Sequence, residues 1–106
     1  MSDTATEKKY QTFAEFYPFY LAEHADITCR RLHFVGSCLV LLCLVSAIVT
    51  GNWMLLWLLP VIGYGFAWVG HFFFEKNRPA TFTYPLYSLA GDWVMFKDIL
   101  IGKIKF

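Results

Sequence analysis

A chain of 106 residues has room for one domain, and only 16% of it is charged, against about 25% in an ordinary soluble domain. Its 58% hydrophobic and 20% aromatic content suits a protein that meets a lipid headgroup layer repeatedly. A net charge of +1 gives nucleic-acid binding no electrostatic support and excludes that class.

Residues 1–10 read as a flexible polar tail with no signal-peptide hydrophobic region, so the first span is expected to direct the chain into the membrane. Residues 11–24 read as an interfacial helix. Thr12 and Glu15 fit a capping box, and Phe13, Phe16, Tyr17, Tyr20 and His24 recur at helical spacing on one face. Pro18 should leave that helix short or bent. Asp26 and Thr28 favour a turn, so the stretch from Ala25 to Thr28 can break the helix.

Residues 32–74 carry no Asp, Glu, Lys or Arg. One continuous helix over this run would be about 65 Å long, twice a bilayer core of about 30 Å. Gly51-Asn52 is a helix-ending and turn pair that divides it. The expected spans are 33–50 and 53–75. Pro60 should kink the second, and Gly63, Gly65, Ala67 and Gly70 offer small surfaces for close helix approach. Arg78-Pro79 ends the run, and 84–101 reads as an amphipathic helix, interfacial or partly inserted. The fold class is therefore all-α: a single-domain integral membrane helical hairpin of two transmembrane helices, flanked by amphipathic interfacial helices. Lys8, Lys9, Arg30 and Arg31 precede the first span and Lys76 and Arg78 follow the second, so both termini should be cytoplasmic.

That topology puts His33 and His71 at one membrane face, with His24 beside them. Ionisable groups at the ends of charge-free runs are rare and usually functional. His24 and His33 lie nine residues apart, about 180° round a continuous helix, so they can share a ligand only if the helix breaks between them. Glu75, one turn after His71, and Asp92 are the nearby carboxylates, and histidine with carboxylate suits a borderline metal such as Fe(II) with positions left for O2 and substrate. Arg31 and Arg78 are candidates to grip a substrate carboxylate, though topology alone also explains them. Cys29, Cys38 and Cys43 have no zinc spacing and imply no disulfide; Cys38 and Cys43, inside the apolar run, read as small packed hydrophobes, and Cys29 lies among charges, where a soft-ligand role is the lesser alternative.

Three segments together are familiar: His24-Ala-Asp-Ile-Thr-Cys-Arg-Arg-Leu-His33-Phe-Val-Gly36, Ala67-Trp-Val-Gly-His71-Phe-Phe-Phe-Glu75-Lys-Asn-Arg-Pro-Ala80, and Tyr87-Ser-Leu-Ala-Gly-Asp92. The chain resembles the 2-hydroxy fatty acid dioxygenase family, a small membrane family typified by a yeast endoplasmic-reticulum protein, and is similar to its shorter bacterial form. The resemblance implies an Fe(II)-dependent dioxygenase of lipid α-oxidation that shortens a 2-hydroxy fatty acid by one carbon with O2. It places the required histidines at His24, His33 and His71, and the protein in a bacterial inner membrane rather than the endoplasmic reticulum. The competing reading is a non-enzymatic helical hairpin that assembles with partners, its histidines structural. A bis-histidine haem protein is a third reading, for which haem motifs are absent. Two spans make a thin scaffold, so a homo-oligomer is expected.

Overall fold

The structure is a computed structural model that describes residues 9–106. Most of the expected tail, residues 1–8 with Lys8, lies outside the described residues. The fold is all-α, with no strand among the described residues. Its helices are α1 (Phe13–Ala22), α2 (Ile27–Thr50), α3 (Leu58–Val69) and α4 (Pro85–Leu100). A 3-10 turn, Trp53–Trp57, leads into α3; a π-helical turn, Gly70–Glu75, leads out of it.

Thr12 caps α1, its side chain accepting from the Glu15 backbone N–H at 3.2 Å. The Glu15 carboxylate reaches back to the N–H of Gln11 at 2.9 Å, so the capping box closes one residue beyond its usual partner. Pro18 lies inside this short helix. The stripe expected on α1 is its packing face. Phe16 and Tyr20 are fully buried against Tyr84, Met95 and Ile99, which ties α1 to α4. A ring buried this way contributes about 2 kcal/mol. Gly91 makes the approach possible, since a Cβ there would lie 2.9 Å from the Tyr20 ring.

The first long helix starts earlier than its hydropathy suggests. Asp26 caps α2, accepting from the Cys29 N–H at 2.9 Å, so Arg30 and Arg31 lie in the opening turns rather than before the helix. At the far end Gly51 adopts a left-handed φ of 69°, a conformation a side chain would strain, and the chain turns back as the Gly51-Asn52 pair predicts.

The second long stretch is not one regular helix. Pro60 does not kink it mid-span, because α3 begins at Leu58 and a proline in the first turn removes no hydrogen bond. The expected small-residue seam is met at Gly70 but not at Gly65. Gly65 faces nothing and Gly63 meets Val40 at an ordinary distance, whereas Gly36 lies flush on Phe66 and Gly70 on Cys29. A Cβ at Gly70 would lie 3.0 Å from the Cys29 sulfur and 3.2 Å from its Cα.

Ile27–Thr50 and Trp53–Glu75 are both long and apolar enough to cross a membrane. Their apolar side chains face outward: Leu42 is 62% exposed, Trp57 73% and Val49 77%. A helix in the core of a soluble protein would bury such residues, and a continuous patch of them marks a partner or a bilayer. The molecule extends 51 Å along its long axis, with the hairpin turn at one end and the histidines near the other.

Candidate metal centre

The break between α1 and α2 sets the site. A continuous helix would turn His24 and His33 to opposite sides. Instead α1 stops at Ala22, and α2 restarts under the Asp26 cap. His24 stands in the break, His33 in the second turn of α2, and His71 in the π-helical turn after α3. The three are buried, and His24 Nε2 lies 3.1 Å from His33 Nε2 and 3.0 Å from His71 Nε2.

What the opposite ring nitrogens do settles the state of these rings. His24 Nδ1–H donates to the Tyr20 carbonyl at 2.6 Å, an oxygen in the last turn of α1 that also accepts from the Glu23 N–H at 3.1 Å. His33 Nδ1–H donates to the Cys29 carbonyl at 3.0 Å. His71 Nδ1–H donates to Asn77 Oδ1 at 2.7 Å. The Asn77 amide cannot be turned the other way, because its Nδ2 donates to the backbone carbonyl and carboxylate of Glu23 at 3.1 and 3.2 Å. Each Nδ1 therefore faces an oxygen that only accepts, closer than any other partner, and each neutral ring carries its proton there. The three Nε2 atoms then meet as bare lone pairs with no proton to share. Burial first, and the facing His33 and His71 next, hold the His24 imidazole well below its ordinary pKa, so protonation does not resolve the conflict.

A cation resolves it. Two nitrogens about 2.1 Å from one ion lie about 3.0 Å apart at a right angle and about 3.4 Å apart at the tetrahedral angle. The observed 3.0 and 3.1 Å are within the reach of one ion that His24 would share with His33 and with His71. The anchored Nδ1 atoms are what metal-bound histidines need to fix ring orientation and basicity. Cys29 also falls within the group of candidate donors. Its sulfur lies 3.9 Å from His33 Nδ1, on the rear of that ring, and is packed against Gly70.

Neither expected carboxylate joins the cluster. Glu75 Oε1 accepts the backbone N–H of Asp26 at 2.7 Å. In a capping box that N–H would go to a glutamate of the same helix; here the far end of the second span supplies it, and a carboxylate gains from the α2 N-terminus as well. Asp92 Oδ1 accepts from the Tyr20 hydroxyl. Burial pushes the Asp92 carboxyl up to about 6 and raises the Tyr20 phenol well above its ordinary value. Arg31 and Arg78 are exposed and line neither cavity that meets the histidines; they cover the rings of Phe106 and Phe82, at 5.1 and 4.9 Å.

An apolar groove of about 280 Å³ runs from His33 between α2, α3 and α4, past Val40, Leu59, Gly63 and Trp93. Asp92 lies on its wall close to the histidines. The 2-hydroxy-palmitic acid dioxygenase Mpo1-like family matches residues 10–104, which takes in every residue of this site. The chain belongs to that family. The family's name carries a dioxygenase activity, and the buried cluster of His24, Cys29, His33 and His71 in this member can hold a metal ion. No curated protein and no solved structure matches the chain.

Asn77, the Tyr20 and Cys29 carbonyls and the groove escape a reading of the sequence. Asn77 had one available signal, an amide side chain in the charged stretch just past the second span. A main-chain oxygen has none.

Proposed function

We propose that this protein is a membrane-embedded Fe(II)-dependent dioxygenase that shortens a 2-hydroxy fatty acid by one carbon with O2, with His24, His33 and His71 as the iron ligands. The observation that carries the reading is the set of convergent Nε2 lone pairs whose Nδ1 protons are all committed elsewhere. The family name supports a hydroxylated fatty acid as substrate. The groove beside His33 supports it independently, because a long apolar cleft ending at a buried polar cluster suits an acyl chain with a polar head.

When bound, iron(II) supplies electron exchange with O2 and coordination positions for the hydroxyl and carboxylate of the substrate. The remaining work falls to the chain. Val40, Leu59 and Trp93 enclose the acyl tail and exclude water. Asp92 Oδ2 takes the proton of the 2-hydroxyl, while the Tyr20 hydroxyl holds Oδ1 in place. The bond between the carboxyl carbon and its neighbour breaks. A shortened acid, carbon dioxide and water balance the atoms, and the electrons the substrate loses are those O2 takes up. No separate reductant is needed in so small a protein. The cations Arg30, Arg31, Lys76 and Arg78 near the histidine end support a cytoplasmic position for it.

The test is to incubate detergent-purified, iron-loaded protein with a 2-hydroxy fatty acid and O2, then analyse the lipid by mass spectrometry. An acid one carbon shorter is expected, together with one iron per site in metal analysis. Recovery of only the starting acid overturns the substrate assignment. Absence of stoichiometric metal favours the structural hairpin instead.

A further inference from the structure

The groove at His33 has a direction and an end. Its α2 wall is His33, Ser37 and Val40, and its α3 wall is Ala67, Gly63 and Leu59. Steps of three and four residues keep each set on one helix face. The groove therefore runs along the spans, from the buried histidine toward the middle of the hairpin. From His33 to Val40 the axial run is about 10 Å. At that depth Gly63 and Val40 lie side by side in the wall. A Cβ at Gly63 would meet only Val40 Cγ2 among the described residues, at 3.7 Å, so a longer side chain there has the groove to grow into. Just beyond Val40 the passage closes, because Cys43 donates to the Leu55 carbonyl at 3.2 Å and holds α2 against the turn before α3. Pro60, at the end of the groove, is exposed, and its neighbours Leu58 and Val61 face outward. A chain that passes Gly63 must leave sideways over Pro60, toward whatever covers these apolar side chains.

In a membrane, a tail that moves from lipid into an apolar groove exchanges one apolar neighbourhood for another and gains little affinity. What the groove controls is passage. A C–C bond of about 1.5 Å advances an extended chain by about 1.25 Å, so about eight carbons separate a head group at His33 from Gly63. We propose that Gly63 sets the acyl-length range of this protein. Its missing side chain leaves the groove open at that depth, so the tail of a long 2-hydroxy acid runs past it and ends in the bilayer, with no upper limit imposed by the protein. This rests on the hydroxy-acid reading for the identity of the head group, and adds that the acid is drawn from the membrane rather than from water. A bilayer phospholipid suits the groove less well, since its bulky head and second chain would have to follow one tail toward a histidine only 6% exposed.

Gly65 supplies the control. It lies on the same helix, outside the groove lining, and a Cβ there meets nothing within 4 Å. Leucine at either glycine brings the same helix propensity and apolar bulk, so the difference between the two isolates the groove. Iron-loaded wild type, Gly63→Leu and Gly65→Leu in mixed micelles are given 2-hydroxyoctanoate, which stops short of Gly63, or 2-hydroxypalmitate, which passes it. Each acid is compared with itself across variants, so that partition into detergent cancels. Gly63→Leu should lower kcat/KM for 2-hydroxypalmitate about tenfold or more and leave 2-hydroxyoctanoate within about twofold. Gly65→Leu should change neither. Gly63→Ala, whose Cβ displaces nothing, keeps the test open if the leucine prevents folding, and should lower 2-hydroxypalmitate alone by a smaller factor. A second readout needs no turnover: 2-hydroxypalmitate with a photoreactive diazirine midway along its tail is cross-linked, and the adducts are mapped by mass spectrometry. Adducts are expected on Val40, Leu59 or Trp93 in wild type and Gly65→Leu, and should be lost in Gly63→Leu. Equal losses of both acids in Gly63→Leu, or equal effects of the two leucines, overturn the role of Gly63. Adducts confined to outward residues such as Leu42 and Val45 overturn the path, as does full protection of the groove by a diacyl phospholipid. If wild type turns over neither acid but still labels in the groove, the dioxygenase reading fails and the acyl path stands.

Discussion

The two ends of this molecule are stabilised by different physics. Around the hairpin turn, from Val45 to Trp57, most side chains are apolar and exposed, and helix contact, the Gly51 turn and a few local hydrogen bonds from Thr50 and Cys43 fix them. At the histidine end, α1, the break after it, the π-helical turn and α4 meet, and the ring nitrogens, Asn77, Glu23, Glu75 and Asp26 form a chain of directed bonds. Apolar contact is forgiving because a lipid or a neighbouring methyl group can replace what is lost. A buried directed bond is not, because an orphaned polar group has no water to turn to. Substitutions should therefore have steeply graded effects along the long axis.

The largest effect belongs to the ligands. His71→Ala should abolish stoichiometric iron and reduce turnover by at least two orders of magnitude, while circular dichroism stays helical. Retention of full iron content would count against His71 as a ligand. One bond further out, Asn77→Leu leaves the His71 ring free to rotate and its Nδ1 proton unpartnered; losing such a support typically costs about 10–100-fold in metal affinity. A competitive chelator titration measures it, and a change under twofold would mean that the Asn77 contact does not orient the ring.

Acid acts on the same end more gently. The folded His24 pKa lies well below that of an unfolded histidine, about 6.5, so below that pH the unfolded chain takes up the proton first. The stability contributed by neutral His24 is complete above about pH 6.5 and is lost as the pH falls below it. The melting temperature of metal-free protein in detergent should drop over that range, and His24→Gln should flatten the drop. A profile as steep in the variant as in wild type would assign the effect elsewhere. The smallest effect is expected at the other end. Val49→Ala, at a side chain 77% exposed, should change stability by less than about 0.5 kcal/mol and leave iron binding untouched. A larger loss would mean that Val49 packs against something, such as a second copy of the chain.

The same contrast explains what the sequence made legible. The hairpin and its turn follow from hydropathy and from Gly51-Asn52, because lipid exposure selects composition directly. The helix boundaries do not, because hydropathy marks where charge is excluded from lipid and not where backbone hydrogen bonds begin. Arg30 and Arg31 accordingly sit inside α2, whose start is set by Asp26. The histidines were recognisable by type and by position at the ends of the run, and their convergence required the break that Asp26 and Thr28 favour. The roles of Glu75 and Asp92 were not recoverable, since a carboxylate near histidines satisfies the composition of a metal site whether it faces the ion, a helix cap or a tyrosine. The mispositioned Pro60 kink has a similar origin: its effect depends on how many turns precede it, and the 3-10 start of the second span is a tertiary outcome.

The π-helical turn at Gly70–Glu75 has a consequence for insertions and deletions. A π turn holds one residue more than the α-helical turn it replaces, and here the extra residue sets the angle between His71, which faces the other histidines, and Glu75, which reaches the start of α2. Between them stand Phe72, Phe73 and Phe74, chemically identical and all exposed. Any one of them should accept replacement by leucine at little cost. Deleting any one would bring Glu75 about 100° out of phase with His71. At this point the chain encodes a count rather than an identity, and a frame of three interchangeable side chains is under stronger constraint than any of its members.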